Sequence, residues 1–219
     1  MSDREKEILD SWRDNAAPWI KAVRNGEIKS RETVTNAAII AAVLNAAPKR
    51  VLDVGCGEGW LCRALNQRGI DTLGIDAQPA LIEAARAAGG KFMLMRYQQL
   101  LQWRPDTPFD ALVCNFSLIG VDSVDAVFAA AAHLLSPTGK LIIQTLHPDN
   151  AQANASAWRD GSWDGFSAEF CNPAPWFCRT LPDWLALFSD AGFSQPQTLT
   201  PTLPSGSSPA SLILVGQRR

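Results

Sequence analysis

The sequence has little of what many specialised proteins depend on. It holds one tyrosine, two histidines and no Cys-x-x-Cys pair, so no zinc site of ordinary ligand spacing is expected and no metal is assigned. Cys56, Cys62, Cys114, Cys171 and Cys178 are an odd number without a disulfide framework and read as reduced thiols. The longest apolar stretch, Ala37 to Leu44, falls far short of the roughly 20 residues that span a bilayer, so no membrane partner is expected. The first residues alternate charges where an export signal carries a basic stub and an apolar run, and a cytoplasmic location is expected. A dominant charge is missing too. The 20 Lys and Arg against 22 Asp and Glu leave a net charge of -2, which gives no global attraction to phosphates and no reason to expect a nucleic-acid partner.

What is present is a 219-residue chain, 47% apolar, with eight tryptophans. A chain of this length buries on the order of 70% of its extended surface and needs no staple. The order of elements predicts one α/β domain over 1–219. Residues 4–45 read as helical, with Pro18 in a first turn, Gly26 as a stop and a new start at Ser30, giving an N-terminal helical cap over 1–47. From 48 to 146 strands alternate with helices. The strands are expected at Arg50–Val54, Thr72–Asp76, Phe92–Met95, Phe109–Asn115 and Leu141–Leu146, the last after a turn at Ser136–Gly139. Asp122 or Ser123 is expected to cap the helix through Val124 to Leu135. Residues 147–180 lose the rhythm and read as an insertion over the sheet. Over 181–219, Thr180 with Asp183 opens a helix, and strands at Thr198–Leu203 and Leu212–Gly216 complete a doubly wound, mostly parallel seven-stranded sheet.

In such a sheet ligands sit beyond the carboxyl ends of the strands, at the switch point beside the first strand. There the sequence reads Asp53-Val54-Gly55-Cys56-Gly57-Glu58-Gly59-Trp60. Glycines let backbone approach a ligand, and the next helix offers free N–H groups. The position of a dinucleotide motif's third glycine is Trp60, which counts against a nicotinamide-dependent oxidoreductase. Asp76, ending the second strand, is placed to accept two ribose hydroxyls, and Asp53 favours a ligand carrying an ammonium group.

These segments resemble the successive motifs of class I S-adenosylmethionine-dependent methyltransferases: VLDVGCGEGWL at 51–61, GID at 74–76, FDALVCNFSL at 109–118 and LSPTGKLIIQT at 135–145, with PDWLALFSDAGF at 182–193. The resemblance implies a Rossmann-like methyltransferase fold, S-adenosylmethionine as methyl donor, and transfer to oxygen, nitrogen or carbon of a small-molecule acceptor. It implies that Asp53 with Gly55, Cys56, Gly57, Glu58 and Gly59 holds the methionine end, that Trp60 belongs to the cofactor site, that Asp76 with Ala77 takes the ribose, and that Asn115 and Phe116 line the sulfur side. Where many members carry an acidic residue for adenine, this chain has Tyr97 and Gln98, suited to stacking and an edge bond. Trp19 and Arg31 belong to the cap, Arg31 either pairing with the methionine carboxylate or standing on the helix surface. His147 is placed either as an acceptor's base or as a structural group. Trp163, Glu169 and Trp176 in the insertion are candidate acceptor residues. A monomer or homodimer is expected, and a non-catalytic S-adenosylmethionine-binding protein remains the other alternative.

Overall fold

The structure is a computed structural model that describes residues 2–151, 154–203 and 208–219. Five parallel strands form its centre: β1 (Arg50–Val54), β2 (Asp71–Asp76), β3 (Lys91–Leu94), β4 (Phe109–Asn115) and β5 (Leu135–Thr145). Two more, β8 (Gln197–Leu199) and β9 (Leu212–Gln217), add antiparallel at one edge, so the order across the sheet is β3-β2-β1-β4-β5-β9-β8. The first crossover runs outward from β1 to β2 and β3, and the chain then returns to the other side at β4. The switch point therefore lies between β1 and β4, where a parallel sheet opens its crevice.

Both faces of the sheet are covered, which is why its central strands read as apolar runs rather than as alternating patterns. Val51, Val113 and Ile142 pack on one side with Ile39 and Val43 of α3 (Asn36–Asn45) and Leu61 and Leu65 of α4 (Trp60–Asn66). Leu52, Val54, Leu112 and Ile143 pack on the other with Val127 and Phe128 of α6 (Asp122–Leu134) and Trp184 and Phe188 of α7 (Leu181–Asp190). Each such side chain contributes about 1.5–3 kcal/mol when fully buried. Helix α5 (Pro79–Ala87) opens with proline at its first position and connects β2 to β3.

The N-terminal stretch is helical as expected, with Pro18 in the first turn of a helix and Gly26 at φ +66° after its end, but it also breaks at a point that was not expected. It divides into α1 (Asp3–Asp14) and α2 (Ala16–Arg24), then a π-helical turn at Arg31–Thr35 that runs into α3. The break falls at Asn15, wholly buried, whose Nδ2 donates to the Ser11 and Cys171 carbonyls and whose Oδ1 accepts the Cys171 N–H at 2.9 Å. One asparagine thus ties the cap to the insertion. In that insertion β6 (Ala157–Arg159) and β7 (Trp176–Cys178) pair antiparallel as a separate ribbon.

Other expectations need correction. The start of α6 is capped neither by Asp122 nor by Ser123: Glu5 of α1 reaches across, and its Oε1 accepts the Val121 N–H at 2.7 Å and the Ser123 N–H at 3.3 Å. The Ser136–Gly139 turn is absorbed into β5 as a register shift against β4. Strand β8 stops at Leu199 rather than Leu203, because Pro201 has no N–H to give a ladder. The loop expected before β9 lies partly outside the described residues. Thr180 does cap α7, its Oγ1 accepting the Asp183 N–H at 3.4 Å.

Candidate functional site

Strand β1 delivers its glycine turn to the switch point. The N–H groups of Gly55 and Cys56 both donate to the Ile75 carbonyl, at 2.8 and 2.9 Å, which folds the turn onto the end of β2. Gly57 N–H then donates to Asp76 Oδ2 at 3.0 Å, while Oδ1 accepts the Gln78 N–H at 2.9 Å. Burial raises the Asp76 pKa, and the backbone N–H groups of Gln78, Gly57 and Ala77 oppose that rise. Each oxygen keeps lone pairs for a ligand's hydroxyls.

The three glycines have three different functions. All have positive φ, of +77°, +57° and +83° for Gly55, Gly57 and Gly59. A Cβ on Gly55 would overlap the Tyr97 hydroxyl and the Ser117 Cβ; Tyr97 Oη donates to the Ser117 carbonyl at 3.2 Å and Ser117 Oγ to the Val54 carbonyl at 2.6 Å. On Gly59 it would strike the Phe92 ring, so that glycine serves packing and does not line the chamber. On Gly57 it would meet only Trp19 Nε1, at 3.7 Å, and point into open space.

That space is a first chamber, lined by Gly55, Cys56, Gly57, Glu58, Trp60, Asp76, Ala77, Tyr97, Gln98, Asn115 and Phe116, and roofed by Trp19 and Arg31. The structure thus brings thirteen of the fifteen residues assigned to the cofactor around one cavity. Asn115 Oδ1 is buried there without a hydrogen-bond partner among the described residues. Phe116 turns the chain in a left-handed conformation at φ +54°, its N–H held by the Gln144 carbonyl at 2.7 Å, the sort of local strain that clusters at functional sites. Glu58 is 1% exposed and committed to Arg63 and Arg24, at 2.7 and 3.1 Å. Burial pushes the Cys56 thiol pKa up, which leaves it no thiolate to act as a nucleophile.

Arg31 lies on the π-helical turn with its guanidinium 5.0 Å from the Trp60 ring centre and 5.6 Å from that of Trp19. Burial lowers its pKa to about 10 against the pull of Glu58, Glu32 and Asp53. It is therefore not a helix-surface arginine. Asp53 stands behind the wall rather than in it: it is 1% exposed, takes the Cys62 thiol at 3.5 Å, and burial lifts its carboxyl pKa to about 7.

A second chamber of about 390 Å³ shares Trp12, Trp19, Arg31, Phe116 and Ile119 with the first. Trp163 and Trp176 line it, with Phe166, Phe177 and Trp184. Glu169 does not; it pairs with Lys21 at 2.8 Å in the open. His147 lines neither chamber. Pro148 starts a short turn that folds the chain back, so His147 Nδ1 accepts the Asp149 N–H at 3.3 Å and lies 3.5 Å from its carboxylate. Sequence reasoning missed Glu5, Thr35, Ser117 and Arg179, all at these walls. Their roles depend on long-range contacts and left no local pattern.

Comparison with known proteins adds the lineage. A family model described as a methyltransferase domain matches residues 29–195. The chain is 39% identical over 104 residues to a ubiquinone biosynthesis O-methyltransferase of Xylella fastidiosa, covering 45% of this chain and 42% of that one. Against the enzyme of that name from Xanthomonas oryzae it is 36% identical over 113 residues, 49% and 47% of the two chains. The chain spans less than half the length of these relatives. Among solved structures, magnesium protoporphyrin IX methyltransferase from Synechocystis, with S-adenosylmethionine bound, superposes with a TM-score of 0.65 at 18% identity over 100% of this chain and 99% of that one. A Burkholderia thailandensis 1,6-didemethyltoxoflavin-N1-methyltransferase with bound S-adenosylhomocysteine gives 0.64 at 17%, over 96% and 90%. Those two likenesses concern the fold.

Proposed function

The chain belongs to the methyltransferase-domain family, and from that premise we propose that it transfers a methyl group from S-adenosylmethionine to a small-molecule acceptor. The observation that carries the reading is the first chamber: a glycine turn pinned to Asp76, facing a buried Asn115 Oδ1 that lacks a partner among the described residues. An orphaned buried acceptor costs free energy until a donor reaches it, so the residues present fit a polar ligand with its own hydrogen-bond donors.

When bound, the cofactor supplies an already activated methyl group on sulfur. The protein's part is to bind and orient. In this reading Asp76 accepts the ribose hydroxyls, Tyr97 and Gln98 hold the adenine, and the Gly55–Gly57 backbone with Asn115 holds the amino-acid end, whose carboxylate faces the Arg31 guanidinium. Asp53 supports the turn from behind. Trp12, Trp19 and Phe116 stand between the chambers and keep water from the reacting atoms. Holding donor and acceptor in near-attack geometry is worth about 7–11 kcal/mol of barrier, which suits a second chamber whose lining includes no histidine, aspartate or glutamate among the described residues. His147 is not proposed as a base.

The reading treats 1–219 as one domain, with the cap over 1–47, the cofactor core over 48–146, the acceptor insertion over 147–180 and the terminal elements over 181–219. A cytoplasmic monomer or homodimer is proposed. Four of the five free thiols are buried, which accords with a reducing compartment, and no helix among the described residues is long and apolar enough to cross a membrane. The test is ligand-linked stability. S-adenosylhomocysteine at about a hundredfold over its Kd stabilises the protein by about 2.7 kcal/mol and raises Tm, while NAD leaves Tm unchanged. Stabilisation by NAD without any by S-adenosylhomocysteine overturns the reading.

A further inference from the structure

Arg179 lines the second chamber at only 6% exposure, between β7 and α7. Its guanidinium lies 5.0 Å from the Phe177 ring centre and 5.1 Å from that of Trp184, and its Nη1 is buried without a hydrogen-bond partner among the described residues. No carboxylate among the described residues lies within 4.0 Å of it. Asp125, Glu5 and Asp183 act on it only through space. Glu5 is already engaged by the Val121 and Ser123 N–H groups, Asp183 by the hydroxyls of Ser156 and Thr180, and Asp125 is exposed. A second polar atom of the same chamber, Thr35 Oγ1, is also buried and unpartnered among the described residues, on a residue 2% exposed.

A buried guanidinium without an anion is costly, and proteins tolerate one where a ligand completes it. The rest of the wall says what that ligand looks like. Trp12, Trp19, Trp163, Phe166, Trp176 and Phe177 give it an aromatic lining, and the volume of about 390 Å³ falls at the small end of ligand pockets. We infer that the methyl acceptor is a compact aromatic carboxylic acid, its carboxylate held by Arg179 and its ring laid against the tryptophan-rich wall. The planar guanidinium fork matches a carboxylate in bidentate fashion, and each aromatic on the wall adds a stacking face. Arg179 is thereby the specificity residue of the second chamber. The inference rests on the methyltransferase reading for what happens to the bound acid, but not for the binding itself.

Calorimetric titration of the full chain tests it with two pairs of probes, indole-3-acetate against indole-3-acetamide and cinnamate against cinnamamide, each with and without S-adenosylhomocysteine. At least one acid is expected to bind about tenfold or more tighter than its amide. Arg179→Gln is expected to erase that preference, Arg179→Lys to keep part of it, and both to leave S-adenosylhomocysteine affinity within about twofold. Equal affinity for acid and amide overturns the inference, as does no binding of either acid at millimolar concentration. A preference surviving in a folded Arg179→Gln overturns it too. If that variant does not fold, the wild-type pairs and Arg179→Lys decide. Failure of S-adenosylhomocysteine to bind the wild type removes the methyltransferase reading alone, because the titrations without it still read the acid site.

Discussion

The two chambers share a wall yet are built by opposite means. The floor of the first is made of backbone: a glycine turn, three strand ends and a carboxylate anchored by main-chain N–H groups. The second is made of side chains sent from far apart in sequence, Trp12 and Trp19 from the cap, Trp163 and Trp176 from the insertion, Trp184 from α7. Most of the tryptophans are accounted for here, and three of them form edge-to-face pairs, Trp12 with Trp19 at 5.0 Å and Trp12 with Trp163 at 6.0 Å. A backbone-built site fixes its ligand through geometry that few sequences allow. A side-chain-built site varies one residue at a time.

The sharpest way to break this contrast is to add single methyl groups to the glycine turn. Gly55→Ala places a Cβ into Tyr97 and Ser117 at a φ of +77°, and the left-handed backbone with overpacking is expected to cost about 2–5 kcal/mol of stability by urea denaturation. Gly57→Ala meets no such overlap and is expected to cost about 1 kcal/mol, while its methyl enters the chamber and weakens S-adenosylhomocysteine. Equal losses in the two variants would mean that φ alone, and not the Tyr97–Ser117 contact, sets the demand for glycine.

How much could be read in advance follows the same division. The strand-helix alternation, the switch point and most first-chamber residues were legible, because each is written locally: an apolar run, a glycine turn, an aspartate ending a strand. Glu5 was not, because nothing near Val121 signals that its cap comes from a helix more than a hundred residues away. Arg179 was not, since being unpaired is a property of its surroundings and not of its neighbours in sequence. His147 misled for the complementary reason. Its position after β5 was right for a base, but the turn begun by Pro148 decides where the ring points.

Asp76→Ala tests the first chamber from its ligand side. Hydrogen bonds to a charged group are worth about 1.5–3 kcal/mol, so S-adenosylhomocysteine should bind roughly 10- to 100-fold more weakly by calorimetry. The acid-over-amide preference assigned to Arg179 should remain. Loss of that preference together with cofactor affinity would show that the two chambers act as one site.

The smallest expected effect concerns the carboxyl behind the wall. Burial raises the Asp53 pKa to about 7, so between about pH 4 and pH 7 the folded protein holds a proton there that the unfolded chain has released. Its contribution to stability is full below pH 4 and is lost as the pH rises through 7. Asp53→Asn has no proton to lose and should remove that decline. From pH 5.5 to 6.5 the wild type should lose more stability than the variant by at most about 1.4 kcal/mol, read from urea midpoints at each pH. A wild type whose stability relative to Asp53→Asn stays level over this interval would mean that the Arg31 charge outweighs desolvation and that Asp53 is ionised in the fold. The carboxylate would then be available to a cationic ligand through the wall, and the backbone-built chamber would depend on a charge as well as on geometry.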